Sequence, residues 1–530
     1  MEALVREAAA ATSAEHEMDL LTALKLYRKA VGWSVLLSTA IIMEGFDGVI
    51  LGSLYAYPPF QRKFGEIQPD GAYQLTAAWQ SGLSNGALVG EILGLFLNGI
   101  IAERIGYRYT MLGALVLVTA FIFVVFFSET LVQLFIGEIL LGIPWGVFQT
   151  LTTTYACEVC PIALRAYLTT YVNLCWVLGQ FLASGVLRAM VSRTDEWGYR
   201  IPFGLQWMWT VPLIIGVSFA PESPWWLVRR GRVEDAKSVL VGLTSKLHDA
   251  NFNADETISM MVHTNELEKA VSKSTTYSEL FKGSVSFRRT GLVCIVWAIQ
   301  TLCGSTFMGY STYFYQQAGM AVDVSFTMTL VQYVMGTLGT IASWSLMRWF
   351  GRRSLYLWGQ LIMFVLLLAI GCTALTGKSN DAAQWAIGTL LLLYTFVYDS
   401  SVGPVCYSLV AELSSTRLRA KTVVLARNVY NVVGIATNFI TPRMLNPSAW
   451  DWGAKAGFFW AGSCLFCAIW TFFCLPEPKD RTYAELNALF EQKVSARKFQ
   501  YTDVDLFSFT SSLEMTKYRA SPEYLESFSI

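Results

Sequence analysis

The chain contains twelve apolar blocks of about 20 residues each, and this feature limits its possible folds more than any other. A helix of that length crosses roughly 30 Å of hydrocarbon. Charged residues make up 15% of the sequence, against about a quarter in an average soluble protein. The sequence therefore predicts an all-α membrane protein with twelve transmembrane helices, centred near residues 43, 89, 119, 143, 177, 210, 303, 336, 365, 398, 432 and 465.

A polar, mixed-charge segment separates the sixth apolar block from the seventh. Arginine and lysine cluster after the even-numbered blocks, for example at Arg229 and Arg230 and at Arg352 and Arg353. Because cytoplasmic loops carry an excess of these residues, we expect both termini to be cytoplasmic. The N-terminus lacks the basic and apolar regions of a cleavable signal peptide. The predicted order is a cytoplasmic N-terminal segment (1–30), a six-helix bundle (31–220), a cytoplasmic linker (221–289), a second six-helix bundle (290–476) and a cytoplasmic tail (477–530).

The loops of the two halves repeat one another at equivalent places. Internal duplication of this kind is typical of secondary transporters, whose halves move about a central site. The matching pairs are "GIIAERIGYR" (99–108) with "SLMRWFGRR" (345–353), "EVCPIALR" (158–165) with "ELSSTRLR" (412–419), and "PESPWWLVRRGR" (221–232) with "PEPKDRTYAELNALF" (476–490).

These six loop motifs, with "SVGPVCY" in the tenth block, resemble the sugar-porter branch of the major facilitator superfamily. The resemblance covers about residues 30 to 492. Within that branch, the segment 142–180 is similar to the fungal maltose and α-glucoside permeases. The resemblance implies two pseudo-symmetric six-helix bundles and import of an α-glucoside such as maltose by proton symport, through alternating access.

The chain departs from the sugar-porter pattern at six places, which suggests a pocket remodelled for a ligand larger than a hexose. The α-glucoside permeases look similar at several of these places. The departures are Glu138 for the span-4 arginine, Thr301 for the second glutamine of span 7, Thr306 for an asparagine, Ser311 for a tyrosine, Tyr407 for the span-10 tryptophan and Arg348 for an acid.

Five acids and one base lie inside the apolar blocks. Carboxylates in hydrocarbon are costly, so intramembrane acids are functional by default. Since one base cannot neutralise five acids, some of these carboxyl groups are expected to bind protons near neutral pH. The proton-coupling candidates are Glu44, Asp47, Glu91, Glu138 and Arg427; Asp399 completes the set, but Ser400 and Ser401 beside it could satisfy it locally.

The spacing of Glu44 and Asp47 puts both side chains on one helix face. The resemblance implies that Asp47 is the proton-binding acid of a sugar–proton symporter, although its usual span-4 arginine partner is missing. We therefore expect Arg427 to act as counter-ion, first of all to Glu91, because spans 2 and 11 meet at the junction of the halves in this fold.

A sugar is held by amide donors and acceptors and by flat aromatic faces. The resemblance points to amides and aromatics in spans 5, 7, 10 and 11. Three span-4 side chains, Trp145, Phe148 and Gln149, are expected to contact a second glucosyl ring. The substrate-binding candidates are Gln180, Gln300, Thr306, Tyr310, Tyr407, Asn438, Trp145 and Gln149.

The repeated loop motifs place acids and bases at equivalent span ends and resemble the inner gate of the family. Opposite charges there are expected to latch the inner face while the outer face is open. Arg348 suggests that the latch of the second half is differently paired. The gate candidates are Glu103, Arg104, Arg108, Glu158, Arg165, Glu222, Arg229, Glu412, Arg419, Glu477 and Arg481.

Two other functions stay open on the sequence: an uncoupled sugar facilitator with structural acids, and a transporter-like sugar sensor. An enzyme is not expected, because the chain has no Walker A motif and no nucleophile elbow. With three histidines and ten mostly apolar-flanked cysteines, neither a metal nor a cofactor is expected, and the coupling ion is the proton. The expected protein is a monomer in a fungal plasma membrane, with sugar, proton and lipid as partners and no nucleic acid.

Overall fold

The computed structural model describes residues 2–67, 73–245, 252–271, 277–377, 380–415, 418–447 and 449–502. Within these residues, twelve helices are long and apolar enough to cross a membrane, in agreement with the twelve predicted spans. The composition of the tail from about residue 493 predicts disorder. Residues Ala496–Tyr501 form a 3₁₀ turn instead, and the part beyond residue 502 lies outside the described residues. We call the membrane face that carries the helices Glu2–Glu17 and Tyr483–Glu491 the terminal face, and the other the opposite face.

The first half contains spans 1 to 6, preceded by two helices that lie against the terminal face. Its elements are α1 (Glu2–Glu17), α2 (Leu20–Leu26), span 1 as α3 (Arg28–Ser38) and α4 (Ala40–Leu54), α5 (Pro58–Phe64), a hairpin of β1 (Glu66–Ile67) and β2 (Tyr73–Gln74), span 2 as α6 (Ala77–Ile105), span 3 as α7 (Tyr107–Phe126), span 4 as α8 (Leu131–Val159), span 5 as α9 (Ile162–Met190), and span 6 as α10 (Trp197–Leu205) and α11 (Trp207–Ser218).

The linker and the second half follow, and the seventh span starts six residues before the predicted boundary at residue 290. The linker holds α12 (Pro224–Arg229), α13 (Val233–Leu243), α14 (Ala254–Val271) and a 3₁₀ turn (Tyr277–Leu280). Span 7 comprises α15 (Ser284–Gln300), a π-helical segment (Thr301–Ser305) and α16 (Thr306–Gly309), with α17 (Ser311–Gln317) after it; then come α18 (Val322–Trp349), α19 (Arg352–Thr373) with a 3₁₀ turn (Ala374–Thr376), α20 (Asp381–Ser400) and α21 (Val402–Leu413) as span 10, α22 (Arg419–Leu445), a 3₁₀ turn (Gly453–Ala456) with α23 (Gly457–Cys474) as span 12, α24 (Tyr483–Glu491) and a 3₁₀ turn (Ala496–Tyr501).

Polar side chains at the membrane surface start several of these helices. Thr130 begins α8 with a capping box, in which its hydroxyl accepts from the Gln133 N–H and the Gln133 side chain accepts from the Thr130 N–H. Thr76 begins α6 by accepting a hydrogen bond from the N–H of Trp79. Such caps satisfy N–H groups that have no partner inside the helix, so they fix where a span leaves the bilayer.

Close packing of α6 against α8 fixes the position of the buried acids in the first half. Gly90 and Gly94 on α6 face α8, and a Cβ on Gly94 would overlap the carbonyl oxygen of Ile143. On α8, a Cβ on Gly146 would overlap the carbonyl oxygen of Glu91. Small residues four apart let membrane helices approach to backbone contact, which here holds Glu91 close to span 4.

The halves meet along two helix pairs, α6 with α22 and α9 with α18. The first pair confirms that spans 2 and 11 are neighbours. Span 5 also packs on α21 of span 10. The interior of the molecule is therefore bounded by spans 1, 2, 4 and 5 on one side and spans 7, 8, 10 and 11 on the other.

We expect Gly94→Ala to destabilise the protein by about 1–3 kcal/mol or more, because the added methyl group forces α6 away from α8. Gly82→Ala, on the same helix, is the matched control, since no atom lies within 4 Å of its added Cβ. The measurement is the melting temperature of each purified variant in detergent. Equal melting temperatures for the two variants would contradict this account of the packing.

Candidate functional site

A cavity of about 200 Å³ lies between the two halves, near the middle of the membrane. Gly48, Leu88 and Asn173 contribute to its wall from the first half, while spans 7, 10 and 11 close it from the second. Six of the eight side chains expected to bind substrate line it: Gln180, Gln300, Thr306, Tyr310, Tyr407 and Asn438.

A break in the seventh span sets the amide of Gln300 against the cavity. The π-helical segment after Gln300 includes Gly304, whose φ of 99° lies in the left-handed region that favours glycine. The Gln300 amide donates to the carbonyl oxygen of Gly403 at 2.8 Å, which joins span 7 to span 10. Irregular backbone at membrane depth is tolerated where it borders a cavity, so the break and the cavity belong together.

Trp145 and Gln149 are not on the cavity wall, so for these two side chains the prediction of a sugar contact is wrong. Trp145 is buried inside the first half, where its ring packs against Phe148 at 6.0 Å between centroids. Gln149 points instead toward the buried acids. Residues in one segment of α8 face different neighbours because successive positions rotate by 100° around the helix axis.

Gln149 connects two acids and the buried arginine. Its amide nitrogen donates to Glu44 and also to Glu91, the latter at 3.1 Å, and its amide oxygen accepts from the guanidinium of Arg427. All four side chains are nearly inaccessible to solvent. One glutamine thus joins spans 1, 2, 4 and 11 through a single polar network, which we call the Gln149 network: Glu44, Glu91, Gln149 and Arg427.

The expected pairing of Arg427 with Glu91 is corrected by this geometry. The guanidinium forms an ion pair with Glu44, with 3.9 Å between Nη2 and Oε1, and reaches Glu91 through Gln149. Helices α6 and α22 do meet as expected, but the side chain of Gln149, from α8, lies between Glu91 and Arg427. The network therefore contains two carboxyl groups and one guanidinium.

Asp47 and Glu138 form a second carboxyl pair, next to the Gln149 network. Their carboxyl groups face each other within hydrogen-bonding reach, and Gln206 donates to Asp47 at 2.6 Å. Neither oxygen of Glu138 has a donor within the described residues, and no Lys or Arg of that part of the chain pairs with either acid. Glu44 and Asp47 share one face of α4, yet each contacts a different helix. Two carboxylates in contact repel each other, so a proton is needed to turn this contact into a hydrogen bond.

Arg427 links the Gln149 network to the cavity, because its side chain also belongs to the cavity wall. Its guanidinium lies 4.0 Å from the ring centre of Tyr430 and 4.5 Å from that of Trp297. Tyr407, which replaces the tryptophan of the sugar-porter pattern, packs on Trp297 at 5.3 Å between centroids. The cavity wall therefore includes aromatic side chains that pack around Arg427.

At the terminal face, two contacts join the halves directly. Lys421 at the start of α22 pairs with Glu103 at the end of α6. The ring of Tyr483, on α24, lies between Arg165 and Arg419, with distances of 3.8 and 4.1 Å from the guanidinium carbons to the ring centre. These arginines are equivalent positions of the repeated loop motif, so each half contributes one cation to the same ring.

Most of the other gate candidates form contacts within one half. Glu158 pairs with Arg229 at 2.9 Å, whereas its counterpart Glu412 pairs with Arg352 at 3.5 Å. Arg104 is exposed. Arg108 donates to the carbonyl oxygen of Ser218. Arg481 pairs with Glu485 and donates to the carbonyl oxygen of Thr502. The backbone carbonyl oxygen of Arg348 accepts a hydrogen bond from Lys479.

Glu222 and Glu477 occupy equivalent places in the two halves. Glu222 accepts from the backbone N–H of Tyr107 at 2.9 Å, at the start of α7, and Glu477 accepts from that of Arg352 at 2.8 Å, at the start of α19. Burial raises the pKa of both carboxyl groups above the ordinary glutamate value, and the backbone N–H donors act in the other direction. A carboxylate at a helix N-terminus meets the positive end of the helix dipole.

The halves also touch at the opposite face. Ser53 and Thr312 are 3.1 Å apart, Gln316 donates to the carbonyl oxygen of Ala56 at 3.2 Å, and the rings of Tyr55 and Tyr310 stack at 6.1 Å. Contacts between the halves therefore lie on both sides of the cavity.

Sequence reasoning missed several of these partners, among them Tyr483 and Gln206. Nothing in the spacing marks Tyr483, which lies in a short helix after the last span. Gln206 ends α10 at an interruption of span 6, and its polarity inside an apolar block was an available signal.

We expect Tyr483→Leu to speed alkylation of the buried Cys157 by N-ethylmaleimide several-fold, because each cation–π contact contributes about 0.5–2 kcal/mol to closure of the terminal face. Tyr483→Phe is the matched control: it keeps the ring and removes a hydroxyl that has no partner within the described residues. Peptide mass spectrometry measures the labelling rate at each cysteine. Identical rates in all three proteins would show that the ring does not hold the halves together.

Comparison with known proteins agrees with this architecture. The "Sugar (and other) transporter" family model matches residues 33–490. The chain is 42% identical to the maltose permease MAL31 of Saccharomyces cerevisiae, covering 95% of this chain and 82% of the relative. It is 45% identical to the general alpha-glucoside permease of the same species, covering 94% and 81%.

Solved structures show the same fold. The major facilitator superfamily proton:xylose symporter XylE bound to 6-bromo-6-deoxy-D-glucose superposes with a TM-score of 0.74 at 20% identity, covering 88% of this chain and all of the other. The inward open conformation of XylE from E. coli gives a TM-score of 0.63 at 19% identity, covering 87% and 99%. Its fold is thus the one seen in these major facilitator superfamily structures. With a family model spanning nearly all of the membrane region, this chain belongs to the "Sugar (and other) transporter" family.

Proposed function

We propose that the protein imports an α-glucoside such as maltose by proton symport. The observation that carries the proposal is the Gln149 network, in which buried acids reach the cavity wall through Arg427. The names of the relatives, a maltose permease and a general alpha-glucoside permease, support the substrate class. A proton is the proposed coupling ion, and no metal or cofactor takes part.

The proposed proton sites are Glu44 and Glu91, beside Arg427, and the pair of Asp47 and Glu138. Four acids and one base share this interior, so full ionisation would leave three uncompensated negative charges in a medium of low dielectric. Protonation removes that charge and so lowers the free-energy cost of closing the two halves around the substrate. Loss of a proton on the terminal side restores the charge and favours opening to water, which ties release of the sugar to release of the proton.

The proposed sugar contacts are the amides of Gln180, Gln300 and Asn438 and the hydroxyl groups of Thr306 and Tyr310. They surround the cavity on spans from both halves, so a sugar bound there favours closure. Tyr407 offers a smaller ring than the tryptophan of the sugar-porter pattern, which leaves room for a longer glycoside.

The proposed gates are the cross-half contacts at each face. At the terminal face they are the Glu103–Lys421 pair and the Tyr483 ring with Arg165 and Arg419. We place the protein in the plasma membrane as a monomer with the terminal face in the cytoplasm, since arginine and lysine concentrate there.

We expect maltose, added to unbuffered transport-null cells that express this chain, to raise the external pH transiently as protons enter with the sugar. A pH electrode records the signal, and xylose is the control sugar. Labelled maltose that enters without a pH change would identify an uncoupled facilitator. No uptake of any glycoside, with the protein present at the cell surface, would contradict transport of this class and favour a sensor.

We expect Glu44→Gln and Glu91→Gln each to lower accumulation of labelled maltose against a gradient at least tenfold, because the network loses a group that binds the coupling proton. Counterflow of maltose, which needs no net proton movement, should persist. Glu129→Gln is the control, since Glu129 is an exposed acid paired with Lys63 and Arg200 on the opposite face. Full accumulation by both network variants would refute a proton role for these acids.

A further inference from the structure

Asp399 is a buried acid that the proposed proton scheme does not use. It lies in span 10, is 1% exposed and belongs to the wall of the central cavity. The hydroxyl groups of Ser400 and Ser401, which could have satisfied it locally, donate to the carbonyl oxygen of Val397 instead. The prediction of a locally satisfied carboxylate is therefore wrong, and its partners must be sought across the cavity.

Only one protein side chain among the described residues comes within hydrogen-bonding reach of this carboxyl group. Asn173, on span 5 of the other half, has its amide nitrogen 3.5 Å from Asp399 Oδ1 and 3.4 Å from the hydroxyl of Thr340. Both distances are at the outer limit for a hydrogen bond. Asp399 Oδ2 has no hydrogen-bond partner within the described part of the chain.

Glycines keep open the space around the carboxyl group. A Cβ on Gly336 would lie 2.7 Å from Asp399 Oδ2, and one on Gly403 would lie 3.3 Å from Oδ1. An unpaired carboxyl oxygen in a buried site costs free energy unless a donor reaches it. The site thus offers the Asp399 carboxyl oxygen as an acceptor and the Asn173 amide as a donor, with open space beside both. A ligand that carries hydroxyl groups can hydrogen-bond to such a pair.

The position along span 5 indicates which part of a ligand would arrive. Asn173 lies seven residues from Gln180, and seven residues of helix extend about 10 Å. Both residues line the same cavity. One pyranose ring held by the amide of Gln180 does not also reach Asn173, two helical turns away, whereas a second ring linked to it does.

We propose that Asp399 and Asn173 form a subsite for the hydroxyl groups of a second pyranose ring, with Asp399 accepting and Asn173 donating. The inference rests on the proposed transport of an α-glucoside and names the residues that distinguish a disaccharide from a monosaccharide. Because Asp399 and Asn173 come from different halves, a disaccharide bridges the two halves at this subsite.

The test measures sugar affinity of the purified full-length protein through the change in tryptophan fluorescence, since Trp176 lines the cavity. We expect Asp399→Asn to raise the Kd for maltose at least tenfold and the Kd for methyl α-glucoside less than twofold, with an unchanged melting temperature in the absence of sugar. Ser400→Ala, one residue away, is the matched control and should leave both Kd values unchanged. Asn173→Ala repeats the test from the other half, with the same selective loss for maltose.

Equal weakening of both sugars, or no change in either, would overturn the subsite while leaving the proposed function in place. A lower melting temperature without sugar for both Asp399→Asn and Asn173→Ala would show a structural contact between the halves and would also overturn it. Wild-type protein that binds neither sugar would contradict the proposed substrate class itself, and with it the subsite.

Discussion

The energetic cost of carboxyl groups in an apolar interior is the constraint on which the centre of this molecule depends. Glu44, Glu91, Asp47 and Glu138 are all buried, and Arg427 is the base that the described structure places among them. A buried charge is tolerated when it is paired and hydrogen-bonded. The glutamine between them supplies hydrogen bonds but no charge, so the balance depends on protons. Arg427 also lines the cavity and so connects Glu44 and Glu91 to it.

Equivalent acidic residues of the two halves form similar contacts, in part with different partners. Glu222 and Glu477 each cap the first helical turn after a loop, and this correspondence follows from the duplicated motif. Glu158 and Glu412 correspond as well, but one binds Arg229 and the other Arg352. Duplication therefore preserved the backbone sites while the partners diverged.

Hydropathy and loop repeats were sufficient to predict the spans and their division into halves, because a helix must satisfy its own backbone in lipid. They also identified the buried acids, which stand out against apolar surroundings, whereas the six candidate side chains that line the cavity came from the family resemblance. The partners could not be predicted in the same way. Helical spacing tells which residues share a face, but not how each helix is rotated toward its neighbours. Gln149 inside the acid network and Asp399 opposite Asn173 depend on that rotation.

The break at Gly304 has a mechanical meaning for span 7. A helix interrupted at one glycine can bend there, so that the helical segments before and after the glycine change their relative angle. Gln300, before the break, lines the cavity, while Tyr310 and Thr312, after it, contact the first half at the opposite face. The segment after Gly304 can therefore tilt without displacing Gln300. Contacts between the halves at the opposite face can then change independently of the contacts that Gln300 makes at the cavity.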